Sequence, residues 1–257
     1  LFPIISSCIF INKYVDQIEI SDCKHIIPLI IQNIEYFDNI SHVIIKDNIT
    51  DDLQKLVEHS KNINSITFQN TKINYFNFHQ ISSLLEENDI DSIGFDDSLD
   101  ENSFQSFIHC PFFQQLKYFR ISKLHNLDFS SNTAYFRNIF ILSFKSCNLK
   151  IGDVLKTIST SKLNFLRELD LSGNIGTGFN NGQLALSNKL ISLYVNDVEW
   201  DVNDLNLFMN SCSYSNLTTL SINNIKFINS DQFEKVANKR KGRVQNSFDY
   251  INYCWDS

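Results

Sequence analysis

The chain has 257 residues, 43% apolar and 20% charged, with a formal net charge of -7. That balance excludes the disordered class, and the acidic surplus argues against a general nucleic-acid binder, which presents a basic face. Seven Gly and three Pro leave no material for a flexible linker, and no run reaches the roughly 18 to 20 apolar residues of a membrane-spanning helix.

The opening LFPIISSCIFI is apolar but lacks a basic leader and a convincing cleavage site. With no initial Met, it reads as part of a fragment cut from a longer protein. From Val15 onward one pattern recurs, with apolar residues at relative positions 1, 4 and 6. It runs Val15, Ile18, Ile20; Ile40, Val43, Ile45; Ile63, Ile66, Phe68; Ile90, Ile93, Phe95; and Leu116, Phe119, Ile121. It continues with Ile139, Leu142, Phe144; Leu166, Leu169, Leu171; Leu190, Leu193, Val195; and Leu217, Leu220, Ile222. All 27 of these sites are apolar, far above the 43% background, so the repeat is real. The alternation across positions 4 to 6 predicts a short strand in each unit, one face inward and one outward.

The units start 25, 23, 27, 26, 23, 27, 24 and 27 residues apart, which leaves room for a helical return arm in most of them. Helices are expected over Asp51–His59, Phe78–Glu87, Glu101–Ile108, Asp153–Ser159, Asp201–Asn210 and Asp231–Lys239. The 23-residue unit that ends near Asn138 is too short for more than a turn, and the glycine-bearing return Gly176–Asn188 should also be irregular. Position 9, where a side chain must satisfy turn backbone groups, is Asn or Cys in four units: Cys23, Asn48, Cys147 and Asn174. By that count the row of turn-tying side chains is patchy.

The most regular unit, LRELDLSGN at Leu166 to Asn174, resembles the leucine-rich repeat signature LxxLxLxxN. Helical returns and Cys alternating with Asn at position 9 resemble the ribonuclease-inhibitor-like subfamily. The uneven repeat lengths are similar to the CARMIL proteins, large intracellular actin regulators. The capping-protein-binding segment of that family has no match here. The resemblance implies a right-handed α/β solenoid shaped as a horseshoe, with about nine parallel strands on its concave face and helical or irregular return arms. Residues 1–257 would form a single domain: 1–14 a partial preceding repeat or N-terminal cap, 15–240 nine repeats, and 241–257 a C-terminal cap or degenerate repeat. Phe248, Tyr250 and Tyr253 would supply a tenth strand, or a cap together with Trp255.

In that geometry positions 2, 3, 5, 7 and 8 face the concave surface. The columns are small and polar, poor in the Trp, Tyr and Arg that carry binding energy. One charge-segregated zone stands out: Asp91, Asp96 and Asp97 beside Lys117, Tyr118, Arg120 and Lys123. These stripes either pair with each other or form a partner-binding epitope at Tyr118 and Arg120, with Lys123 and with Lys145 of the next unit. The apolar termini offer a second surface. Tyr250, Tyr253 and Trp255 at one end, and Phe2 to Phe10 at the other, suit end-on assembly or private caps.

No cofactor or metal is expected. The six His show no ligand spacing, and the six scattered Cys, with no CxxC pair, read as buried intracellular thiols. GNIGTGFNNG lacks the Lys-Ser/Thr of a phosphate loop, and no Ser-His-Asp set converges on one loop. The expected role is a non-enzymatic protein-interaction or scaffold module of a larger cytoplasmic, cytoskeleton-associated assembly, with a protein partner and neither nucleic acid nor membrane. Two other classes share the architecture. One is a GTPase-activating protein similar to the repeat-type activators of Ran, with Arg137 or Arg167 as the candidate arginine. The other is an F-box-type substrate adaptor.

Overall fold

The computed structural model describes residues 16–21, 32, 39–46, 57–58, 62–73, 81–82, 85, 89–161, 163–179, 184–185, 189–213 and 217–227. The expectations for Phe2 to Phe10, Val15, Cys23, Asn48, the helix after Asp231, and Phe248, Tyr250, Tyr253 and Trp255 lie outside the described residues.

The strands, in chain order, are β1 (Gln17–Ser21), β2 (His42–Lys46), β3 (Ser65–Gln69), β4 (Ser92–Asp96), β5 (Tyr118–Ser122), β6 (Ile141–Lys145) and β7 (Glu168–Asp170). After them come β8 (Ile175–Gly176), β9 (Leu184–Ala185), β10 (Ser192–Tyr194), β11 (Glu199–Trp200), β12 (Cys212–Ser213), β13 (Thr219–Ser221) and β14 (Lys226–Phe227). Nine of them, β1 to β7, β10 and β13, form a parallel sheet in the order of the sequence. Each of the nine begins at position 3 of its repeat and ends at position 5 or 7. The register keeps like positions opposite one another: Ile66 faces Ile93, Phe68 faces Phe95, and Leu193 faces both Leu169 and Leu220. A slip of one residue would turn every apolar side chain outward, so the 1-4-6 pattern itself holds the register.

The chain divides into two compact units, Leu1–Ile121 and Ser122–Ser257. Every described residue at positions 1, 4 and 6 is buried except Ile18 and Leu217, half-buried members of the first and last repeats. Phenylalanine fills much of the interior. In the first unit Phe68 and Phe95 stack at 5.6 Å, and Phe107 meets Phe95 edge-on at 5.0 Å. In the second, Phe144 sits edge-on to both Phe129 and Phe136 at 5.5 and 5.6 Å. Such offset and T-shaped pairs add to plain area burial.

The return arms follow the space available. Helix α1 (Glu101–Ile108) spans the expected residues and is capped by Asp100, whose carboxylate accepts the Ser103 N–H at 2.7 Å. Phe104, Phe107 and Ile108 form its buried stripe. The short unit holds only the four-residue α2 (Phe129–Asn132) and a 3-10 turn over Thr133–Phe136. Helix α3 (Ile151–Thr160) starts two residues before the expected Asp153, because Ile151 extends its buried stripe of Val154, Leu155 and Ile158. Helix α4 (Val202–Ser211) lies one residue from expectation. Val57, Glu58, Ile81, Ser82 and Leu85 are helical, where two further return helices were expected. Gly176–Asn188 contains no helix among its described residues. Instead β8, β11 and β14 pair as a second small parallel sheet, a feature the repeat template does not encode.

At every described position 8, seven of them, the chain leaves the sheet through a left-handed residue. Asn70, Asp97, Lys123, Ser146, Asp197 and Asn224 have φ between 50 and 57°, and Gly173 has φ 70°. These residues make the turn out of the strand, and apart from half-buried Gly173 they are exposed. The patchy row at position 9 needs correction. Thr71 donates to the carbonyls of Gln69 and Ile45 at 3.0 and 3.4 Å, and Ser98 donates to those of Asp96 and Phe68 at 2.7 and 3.0 Å. A hydroxyl at position 9 ties its own turn to the preceding strand much as Asn174 does.

Candidate functional site

Side chains at positions 3, 5 and 7 stand on the face of the sheet opposite the core. In the second unit a row of side chains on this face bonds internally. Lys145 Nζ pairs with Asp170 at 2.9 Å, and the Asp170 carboxylate also accepts the Ser172 N–H at 3.0 Å. Ser172 Oγ accepts the Asn196 N–H at 3.2 Å, and Asn196 Oδ1 accepts from the Asn223 N–H and the Ser221 hydroxyl, each at 2.9 Å. Lys145 is thus neutralised by its neighbour. Lys123 occupies the left-handed turn position, where its N–H donates to the Lys145 carbonyl at 2.9 Å.

The first unit differs. Lys46 pairs with Glu19 at 2.8 Å and Lys117 with Asp91 at 3.2 Å, so the Asp91–Lys117 part of the charge-segregated zone does pair with itself. Arg120, exposed at position 5 of β5, makes no ion pair among the described residues, and half-buried Tyr118 stands two residues before it. Across the face, His42 Nε2 and Thr67 Oγ1 lie 2.9 Å apart, and the Ser65 hydroxyl donates to Ser92 at 3.0 Å. Gly94 faces Thr67 in register, and a Cβ at Gly94 would sit 3.0 Å from Thr67 Oγ1. Burial, and then the positive charge of Arg120, hold the His42 imidazole below the usual histidine range, while Asp16 opposes them. Arg120 therefore shares this face with His42, Thr67 and Gly94, and its charge acts on His42. Thr67 and Gly94 stand at position 5 and are expected on this face from the repeat pattern, whereas His42 is missed because the histidine spacing speaks only to metal binding. Reading position 3 beside position 5 would have placed His42 on the same face as Arg120.

Other candidates are weaker. Arg167 donates to the carbonyls of Asn164 and Leu166, each at 3.3 Å, which binds it to its own loop, and Arg137 is exposed after the 3-10 turn. A cavity of about 240 Å³ in the second unit is lined by Asp128, Phe129, Asn148, Lys150 and Asp153 among others. The Asp128 carboxylate there is held below the usual range by the Ser131 and Ser130 hydroxyls, which leaves it engaged in capping α2. Phe165 and Ile191 are exposed apolar side chains of the same unit. Among the described residues no three His, Cys, Asp or Glu side chains cluster in a way that could hold a metal ion, and no helix is long and apolar enough to cross a membrane.

No protein-family model matches the sequence, and a search of curated proteins finds no similar one.

Proposed function

We propose that the chain is a non-enzymatic protein-interaction module of the leucine-rich-repeat kind, a solenoid serving as scaffold in a larger cytoplasmic assembly. The 1-4-6 pattern, the parallel strands in one register and the left-handed residue at every described position 8 support the repeat reading. The interaction reading rests on one contrast. The second unit's face pairs Lys145 with Asp170 and links Ser172, Asn196, Ser221 and Asn223 by hydrogen bonds, whereas the first unit's face leaves Arg120 without a carboxylate beside Tyr118. Arg and Tyr are the side-chain types that most often anchor protein interfaces. Affinity capture from the native source tests this with three paired variants. Tyr118→Ala/Arg120→Ala is expected to release partners that Lys123→Ala/Lys145→Ala retains. Loss only with Tyr253→Ala/Trp255→Ala would move the interface to the terminus and overturn the proposal.

A further inference from the structure

We infer that the first unit's open face takes an acidic side chain of a protein partner above Thr67 and Gly94, held by Arg120 from one side and His42 from the other. The inference rests on the interaction reading above and adds the chemistry of the partner.

The geometry follows from strand spacing. β2 and β5 are three strand steps apart, about 14 Å at roughly 4.8 Å per step. His42 leans over the first step, because its ring nitrogen reaches Thr67 on β3. Arg120 is exposed at position 5 of β5, next to β4 in the sheet, long enough to extend across it, and its charge acts on His42. The residue beside it there is Gly94, which has no side chain to stand in the way. Two basic groups thus converge over a floor of Thr67, Gly94, Ser65 and Ser92. The hydroxyls of Ser65 and Ser92 already bond each other.

Charge complementarity selects the occupant. The paired cations of this face, Lys46 and Lys117, have the carboxylates of Glu19 and Asp91. Arg120 has none among the described residues, and its guanidinium presents a planar fork that fits a carboxylate in bidentate fashion. The charged groups acting on His42 are Asp16 from the β1 segment, which favours the imidazolium, and Arg120 from β5, which opposes it. Lys46 on its own strand is paired with Glu19 of β1, and the adjacent β3 presents the uncharged Ser65, Thr67 and Gln69. A carboxylate placed between Arg120 and His42 would offset the guanidinium charge and favour the imidazolium. Binding should therefore take up a proton and tighten as pH falls.

Peptides selected from a random-sequence display library on the full chain provide the test. The expected result is Asp or Glu enriched at one fixed position, with replacement of that residue by Asn or Gln weakening binding about tenfold. Arg120→Gln should weaken the acidic peptides to a similar degree and leave their Asn or Gln counterparts unchanged. Arg137→Gln, which removes an exposed charge from the second unit, should change neither. Between about pH 8 and pH 5 affinity should rise, and His42→Gln should flatten that rise. Selected peptides that lack a fixed acidic residue but are lost on Tyr118→Ala would overturn this inference while leaving the interaction face standing. Failure to select peptides, or peptides indifferent to both Tyr118→Ala and Arg120→Gln, would overturn both.

Discussion

Asn174 reaches back one repeat so that its side-chain oxygen accepts the backbone N–H of Cys147 at 2.9 Å. The same oxygen accepts the Leu149 N–H at 3.0 Å, and its amide nitrogen donates to the carbonyls of Phe144 and Leu171 at 2.6 and 2.8 Å. One buried side chain closes two successive turns. Asn174→Leu should leave these backbone groups unpaired in the interior and cost about 2 to 4 kcal/mol, read as a lower urea midpoint. An unchanged midpoint would mean that the turns satisfy themselves.

Lys123 occupies the left-handed position that Gly173 fills in a later repeat. A left-handed backbone costs an ordinary side chain roughly 1 to 2 kcal/mol, and Asn tolerates it better. Lys123→Asn should therefore stabilise by a few tenths to about 1 kcal/mol. In contrast, Gly173→Ala should destabilise, because it forces a side chain into the left-handed region at φ 70° and brings the new Cβ against Ser146. Thermal melts of the two variants should shift in opposite directions.

Leu169 is wholly buried and faces Leu142 and Leu193 in the sheet register. Leu169→Ala should cost about 2 to 5 kcal/mol through lost burial and a residual cavity. Contacts run between neighbouring repeats, so amide protection should fall first around Leu142 and Leu193. Loss confined to the strand of Ile18 and Ile20 would contradict a stack.

Cys147 is buried at position 9, and burial pushes its thiol up to about 12. Near neutral pH it should resist alkylation while half-buried Cys110 is modified, a difference that peptide mass spectrometry resolves. An unfolded thiol ionises at about 8.5, below the folded value. The stabilising contribution is therefore complete below the unfolded value and is lost as pH rises toward the folded one. Cys147→Ala should remove that alkaline loss.

The apolar triplets are visible in the sequence because repeated burial at a fixed spacing leaves a periodic imprint. That imprint placed the nine strand segments and the span of α1. The second parallel sheet of β8, β11 and β14 was not visible. Its strands are two residues long and are defined by pairing to other return arms, which no local period records. Similarly, Thr71 and Ser98 pass as ordinary polar residues until the carbonyls they reach are in view.

Of the candidate site, the sequence by itself determined that Tyr118 and Arg120 stand on the strand face opposite the core, since side chains alternate along a strand whatever surrounds it. It also determined the buried row at positions 1, 4 and 6. Only the tertiary structure decided which charges remain uncompensated. Lys145 meets Asp170, Lys117 meets Asp91, and Arg120 instead influences His42 across Gly94. Those pairings join residues 25 or more positions apart. Their physical origin is distance between strands: charge interactions depend on separation in space, and the register of the sheet sets that separation.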